Sequence, residues 1–227
     1  MRSIDLNVIA DSDSELQSLS SMGVELGYSG LAISGLNLKS NMASKDIEIF
    51  SRFDLKTNRL SVLKKEAARM RDKYLVLAIP LGAIEPANWA AEEQVVDLLT
   101  LLPSDSNKLR TTTARLAAKS GTVLEVPIHS LLLTQGLHRS RALKTMTDAI
   151  KIALQCEMHV ILTSGASNPI HLRSPYAMVH IGMLLGLNRA QAIESISDHP
   201  LAVIERNMKR LDDNHILPGL EIVGDDH

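Results

Sequence analysis

The sequence is poor in cysteine and in aromatic residues. Among its 227 residues there is one cysteine, and phenylalanine, tryptophan and tyrosine together make up 3%. A single thiol excludes an internal disulfide framework and a zinc site built from several cysteines. No stretch approaches the roughly 20 apolar residues that span a bilayer, and the first residues do not resemble a secretory leader. We therefore expect a cytosolic protein with an aliphatic core.

Several motifs of catalysis and cofactor binding are also missing. The first strand is not followed by G-x-G-x-x-G or G-x-x-x-x-G-K-[ST], and G-x-S-x-G is absent. The eight histidines form neither H-x-H nor H-E-x-x-H, and only His129 and His171 fall near strand ends. We therefore expect no metal or other cofactor bound by this chain. Cys156 lies late in a helix, where a buried inert thiol is favoured over a nucleophile.

Short apolar runs alternate with longer amphipathic runs along the chain. Strands are predicted at 4–9, 30–34, 47–53, 75–80, 95–99, 122–127 and 159–163. Helices are predicted at 13–26, 58–73, 86–94, 107–119, 139–155, 175–186, 188–197 and 200–210. This alternation is typical of an α/β protein with a parallel sheet covered by helices.

Two arrangements of such a sheet remain open, a closed barrel and an open doubly wound sheet. The missing nucleotide-binding loop favours the barrel. We predict a TIM-like barrel of about seven mostly parallel strands over residues 1–211, followed by a polar, acidic tail at 212–227 that we expect to be mobile.

The net charge of −2 hides strong blocks of charge. Residues 106–151 carry eight basic and two acidic side chains, whereas residues 74–105 carry five acidic side chains and no lysine or arginine. Such a pattern predicts a basic face beside an acidic one. Basic clusters bind phosphate backbones, and the lack of interleaved aromatics argues against stacking on single-stranded bases. Folded RNA is the expected partner, and a merely solvated face is the alternative.

A second candidate site lies where a buried strand ends at Thr163 and a helix starts after Ser174. Ser174 can cap this helix, and the unpaired N–H groups of the first turn attract anions beside Arg173. The alternative is a simple cap with a surface arginine that braces the loop. In the first strand, Asp5 and Asn7 stand where a metal-dependent hydrolase on a barrel would need two histidines.

Several short motifs fall in an order typical of one known family. Residues 161–187 contain T-S-G-A, H-L-R-S-P-Y and I-G-M-L-L-G-L. The other motifs are D-L-N-V, L-G-Y-S-G-L-A-I, R-F-D-L, K-Y-L-V-L-A-I, V-V-D-L-L, A-x-x-S-I-S and R-N-x-x-R. Over about residues 4–211 the chain resembles the TIM-barrel-type protein subunits of archaeal and eukaryotic ribonuclease P.

The resemblance implies a fold and a function. The fold would be a barrel related to the polymerase and histidinol phosphatase family, without that family's metal ligands. The function would be that of a ribonuclease P subunit, which supports RNA-catalysed removal of the 5′ leader from precursor tRNA. The chemistry would be carried by magnesium ions bound to the RNA, and this chain would supply no catalytic residue.

The resemblance also implies partners and RNA contacts. The partners would be the ribonuclease P RNA, a small α/β protein subunit, other holoenzyme proteins and, indirectly, precursor tRNA. The RNA contacts would be Arg110, Arg115, Lys119, Arg139, Arg141, Lys144 and Arg173.

Two other functions remain open at this point. A metal-dependent phosphoesterase on the related barrel would need a cluster of metal ligands. An enzyme acting on a phosphorylated small molecule at Arg173 would need a closed pocket around Ser164–Ala166. A scaffold for RNA needs only an exposed basic face.

Overall fold

A computed structural model describes residues 2–35, 46–102 and 108–211 in full and the backbone of 42–43, 215–217 and 220–221. The strands are β1 (Ile4–Ala10), β2 (Gly30–Gly35), β3 (Met42–Ala43), β4 (Glu48–Asp54), β5 (Val76–Pro80), β6 (Leu98–Thr100), β7 (Val123–Pro127), β8 (Val160–Thr163), β9 (His215–Leu217) and β10 (Leu220–Glu221). The helices are α1 (Asp13–Leu26), α2 (Leu60–Arg71), α3 (Ile84–Glu92), α4 (Thr111–Ser120), α5 (His129–Leu133), α6 (Gly136–Gln155), α7 (Pro175–Leu184), α8 (Arg189–Glu194) and α9 (Asp198–Arg210), with a 3-10 turn at Pro169–His171.

The main sheet is a nearly closed parallel barrel. Seven strands pair in the order β1-β2-β4-β5-β6-β7-β8, and every pairing along this path is parallel. The short β3 adds antiparallel to β4. Helices on the outside bury small and aliphatic side chains against the strands. The predicted TIM-like barrel is confirmed.

The barrel closes where its first and last strands meet. Near the carboxyl ends of the strands, the amide of Ile9 donates to the carbonyl of Ala166 at 2.8 Å. Nearer their amino ends, the segment between α8 and α9 fills the gap: the amides of Ile4 and Leu162 each donate at 3.1 Å to the carbonyls of Ile196 and Ser195, respectively. The S-I-S motif therefore completes the backbone hydrogen bonding of the barrel.

Most element boundaries agree with the prediction to within two or three residues, and the exceptions have local causes. Helix α5 and the first three residues of α6 (136–138) were not predicted; α5 buries no side chain, and on α6 the burial begins only at Ala142. Without a buried face there is no periodic apolar signal. Strand β6 was predicted at 95–99 but begins at Leu98. Val95 and Val96 lie in the segment that precedes the strand.

The ends of several elements follow local chemistry. Gly27 and Gly121 end α1 and α4 in the left-handed conformation, with φ of 89° and 82°. Helix α4 begins at Thr111 instead of residue 107, because Arg110 is extended. No helix in the described part of the chain is long and apolar enough to cross a membrane. The tail contributes the short antiparallel pair β9 and β10; the prediction of its mobility otherwise concerns residues outside the described ranges.

Removal of the α7 cap should destabilise the protein. The Ser174 hydroxyl accepts a hydrogen bond from the amide of Ala177, and Pro175 occupies the first helical position. We expect Ser174→Ala to lower the free energy of unfolding by about 1 kcal/mol and Ser174→Gly by only a few tenths. Urea denaturation of both variants checks this. An unchanged free energy of unfolding in Ser174→Ala would show that the hydroxyl does not act as a cap.

Candidate nucleic-acid interface

The carboxyl ends of the barrel strands surround a partly open cleft of about 820 Å³. This is the position at which enzymes of this fold place their active sites. Its wall includes Asn7, Asp54, His129 and Gly165, whereas Arg173 does not line it. The small-molecule hypothesis required a closed pocket around Ser164–Ala166 for a ligand held by Arg173; the cleft borders Gly165, but it is partly open and Arg173 does not reach it.

The floor of the cleft is built on Arg52, whose side chain is fully buried in the barrel. Its guanidinium donates to both carboxylate oxygens of Glu125, on the opposite side of the barrel, at 2.7 and 2.8 Å. It also donates to Asp54 at 2.8 and 3.1 Å and to the carbonyl of Leu6 at 2.6 Å. Two barrel threonines, Thr100 and Thr163, donate their hydroxyl hydrogens to Glu125.

This network keeps the guanidinium of Arg52 charged. Burial alone would lower the pKa of Arg52, but the charges of Glu125 and Asp54, and the hydrogen bonds to them, raise it above its usual value. Arg52 therefore stays charged and forms ion pairs with Glu125 and Asp54.

The residues at the strand ends do not fit a metal cluster. Both oxygens of Glu125 are bound by Arg52, so the carboxylate is not available to a cation. In the described ranges, no group of three or more histidine, cysteine, aspartate or glutamate side chains is placed to hold a metal. The metal-dependent phosphoesterase hypothesis needs such a group, and we derive no chemistry through one.

Asp5 is fully buried beside this network, close to the seam of the barrel. Its carboxylate accepts hydrogen bonds from the backbone amides of Asn7 and Ser164 at 3.0 to 3.2 Å. Burial raises the pKa of Asp5 to about 6, against the opposing effect of the Ser164 and Asn7 hydrogen bonds, and the nearby charge of Glu125 raises it further. Asp5 lies inside strand β1, which runs on to Ala10, one residue beyond its predicted end.

His129 follows β7 directly and packs against the loop after β8. The Cβ of any larger residue at Gly165, where φ is +63°, would lie 2.6 Å from the Nδ1 atom of His129. Burial lowers the pKa of His129, and the neighbouring His171 lowers it further. The charge of Glu125 acts in the opposite direction, but the balance favours the neutral imidazole.

The predicted basic residues form a surface away from the cleft. A groove of about 490 Å³ runs along α6, and its walls carry four exposed cations: Lys108, Arg141, Lys144 and Lys151. Arg141 and Lys144 were predicted as RNA contacts. Lys108 and Lys151 were counted in the basic block but not singled out. The recurrence of cations along α6 is a signal that would have identified Lys151.

The other predicted contacts lie outside this groove. Arg115 and Lys119 are exposed on α4, and Arg110 is half-buried at its start. Arg139 is exposed and donates from Nε to the carbonyl of Thr134 at 2.7 Å. Arg173 donates to the carbonyls of two residues of its own loop at 2.7 and 2.8 Å, which matches the bracing alternative.

Cys156 corrects a further prediction. The thiol is half-buried at the end of α6 instead of buried, because α6 ends there and the chain turns outward. The Sγ atom lies 3.8 Å from the carbonyl of Thr111.

Comparison with known proteins gives one consistent family. "Ribonuclease P protein component 3" of Methanococcoides burtonii is 28% identical over 227 residues, which cover 96% of this chain and 92% of that protein. The protein of the same name from Methanosarcina acetivorans is 28% identical over 228 residues, with coverage of 96% and 93%.

Solved structures agree on the fold. A chain in the cryo-EM structure of archaeal ribonuclease P with mature tRNA superposes with a TM-score of 0.77 and 19% identity, covering 98% of this chain and 99% of that one. The histidinol phosphate phosphatase of Lactococcus lactis, complexed with zinc, L-histidinol and phosphate, gives a TM-score of 0.50 and 7% identity, covering 91% of this chain and 94% of that one. The family model described as RNase P subunit p30 matches residues 2–212, and the chain belongs to this family.

Proposed function

We propose that the chain is a protein subunit of ribonuclease P that supports the RNA-catalysed removal of the 5′ leader from precursor tRNA. The observation that carries this proposal is similarity over nearly the whole chain, both to the RNase P subunit p30 family and to a chain of archaeal ribonuclease P. The similarity runs from the first strand through α9, so it is not limited to one shared motif.

The chemistry of the barrel supports a scaffold. Hydrolases of this fold work at the strand ends, but here the carboxylates of Glu125 and Asp54 are bound to Arg52. Because Arg52 binds both oxygens of Glu125, this carboxylate is not placed to ligate a metal or to activate water, and the Oδ1 atom of Asp54 is also bound by Arg52. In this proposal the chain supplies no catalytic residue, and magnesium ions held by the RNA carry the reaction.

The proposed partners are the ribonuclease P RNA, a small α/β protein subunit and other holoenzyme proteins, with precursor tRNA contacted indirectly. The cytoplasmic location expected from the sequence belongs to the same proposal. The proposed RNA contacts are the exposed or half-exposed cations predicted from the sequence: Arg110, Arg115, Lys119, Arg139, Arg141, Lys144 and Arg173.

Reconstituted cleavage of precursor tRNA tests the function. The cognate RNA and the small partner subunit are assayed with and without this chain across a magnesium titration. We expect the chain to lower the magnesium concentration at half-maximal rate and to raise the rate, because cations that neutralise RNA phosphates replace part of the magnesium requirement.

The control is the same mixture with the heat-denatured chain. An unchanged magnesium dependence would contradict the proposed function. Stoichiometric zinc or manganese in the purified protein, together with phosphoesterase activity in the absence of RNA, would instead support the metal-dependent enzyme.

A further inference from the structure

We infer that the groove along α6 is the surface that holds the phosphate backbone of RNA, and that Lys108 and Lys151 are contacts in addition to Arg141 and Lys144. This inference rests on the proposed function. It narrows a set of cations spread over two helices and a loop to one continuous site.

The spacing of the cations gives the groove its length. Arg141, Lys144 and Lys151 are three, seven and ten residues apart along α6, so they share one face of the helix. Ten residues of helix measure about 15 Å, which is longer than a single phosphate group. Lys108, in the segment before α4, faces them from the opposite wall. The site therefore fits an extended polyanion, not one small phosphorylated ligand.

The charges in the groove are available to a ligand. Lys108, Arg141 and Lys151 are exposed and form no ion pair with any described residue. Lys144 pairs with Asp148 at 2.9 Å, but these side chains are 76% and 57% exposed. An exposed pair of this kind contributes little and is readily exchanged for another anion.

RNA fits this surface better than an acidic protein segment does. The floor of the groove consists of Leu109, Ala149 and Ile152, which are buried or half-buried by the chain itself. None of the large apolar side chains that the described ranges leave exposed lies in the groove. Protein interfaces depend on buried apolar anchors, whereas binding to a nucleic-acid backbone depends on cations.

The test measures the salt dependence of binding to the cognate ribonuclease P RNA. The groove variant combines Lys108→Ala, Arg141→Ala and Lys151→Ala. The control variant combines Lys65→Ala, Arg69→Ala and Lys73→Ala, which removes the same charge from exposed positions on and just after α2. We expect the groove variant to reduce the slope of log affinity against log salt by about 2 to 3, and the control variant to change it by less than about one.

Each outcome decides the proposal. An unchanged slope in the groove variant, equal losses in both variants, or no binding of RNA by the wild-type chain at low salt would overturn it. If polyglutamate binds to the groove and the groove variant keeps the RNA affinity of the wild type, the site would be assigned to an acidic protein segment. If the wild-type chain stimulates cleavage while the groove variant binds RNA normally, the assignment of the groove is wrong and the proposed function stands. If the wild-type chain binds RNA through the groove but does not affect cleavage, the proposed function is wrong and the assignment of the groove stands.

Discussion

Arg52→Ala should lower the free energy of unfolding by about 3 to 5 kcal/mol, which is typical of breaking a buried ion pair from one side. The substitution leaves the fully buried carboxylate of Glu125 without its guanidinium partner. It also removes the hydrogen bonds to Asp54 and to the carbonyl of Leu6. Urea denaturation at neutral pH measures the loss, and in a domain of this size each kcal/mol lowers the melting temperature by about 2 to 4 °C.

A double-mutant cycle measures the interaction energy between Arg52 and Glu125 apart from their other contacts. We expect Arg52→Met with Glu125→Leu to be less destabilising than the sum of the single variants, because the double variant leaves neither charge unpaired. Lys65→Ala on the exposed face of α2 is the control for loss of a positive charge and should change stability by less than about 0.5 kcal/mol. A loss below about 1 kcal/mol in Arg52→Ala would contradict the role given to the network.

The network explains how a barrel of enzyme type can serve as a scaffold. In a metal-dependent hydrolase, carboxylates at the strand ends hold cations that must remain open to substrate. Here a side chain of the protein supplies the positive charge, and its geometry saturates Glu125. The strand ends become part of the folded core, and the exposed cations of the proposed RNA site lie outside the barrel.

The sequence predicted those elements that bury a face. Strand β7, buried along its whole length, and α4, with Ala114 and Ala117 against the barrel, both carry the expected apolar pattern. Helix α5 and residues 136–138 at the start of α6 bury nothing, so only tertiary structure reveals them. Strand β6 is three residues long, which is too short for a period-2 pattern to fix its boundaries.

The site was predictable in part. Lys144 and Lys151 repeat on one helix face, so half of the groove is visible in the sequence. The opposing wall at Lys108 depends on how α4 packs beside α6. The pairing of Arg52 with Glu125 joins residues 73 positions apart, and the clearest local clue is Glu125, the one polar residue of strand β7.

The contacts of the R-N-x-x-R motif, at Arg206–Arg210, could not be predicted from the sequence either. Arg206 donates to the carboxylate of Asp97 and to the carbonyl of Gly121, both at 2.9 Å, and Asn207 donates to the carbonyl of Leu75 at 2.9 Å. These contacts fasten α9 to the barrel. The sequence marks the motif as a feature of the family, but the structural role of each residue follows from partners that are distant in the chain.

Asp5→Asn should remove a pH-dependent loss of stability. In the folded protein, burial raises the pKa of Asp5 from 3.8 to about 6. Between these values the folded state binds more protons than the unfolded state, so the free energy of unfolding falls as the pH rises. Above pH 6 the penalty is complete, and a shift of this size corresponds to about 3 kcal/mol. The asparagine carbonyl can still accept hydrogen bonds from the amides of Asn7 and Ser164.

The measurement is the free energy of unfolding of the wild type and of Asp5→Asn from pH 4 to pH 7.5. We expect the stability of the variant relative to the wild type to rise by about 2 to 3 kcal/mol across this range. Glu85→Gln is the matched control, because it removes a carboxylate that is exposed on α3. A difference between Asp5→Asn and the wild type that does not vary with pH would show that Asp5 is not destabilised by burial, and that the amides of Asn7 and Ser164 compensate its charge fully.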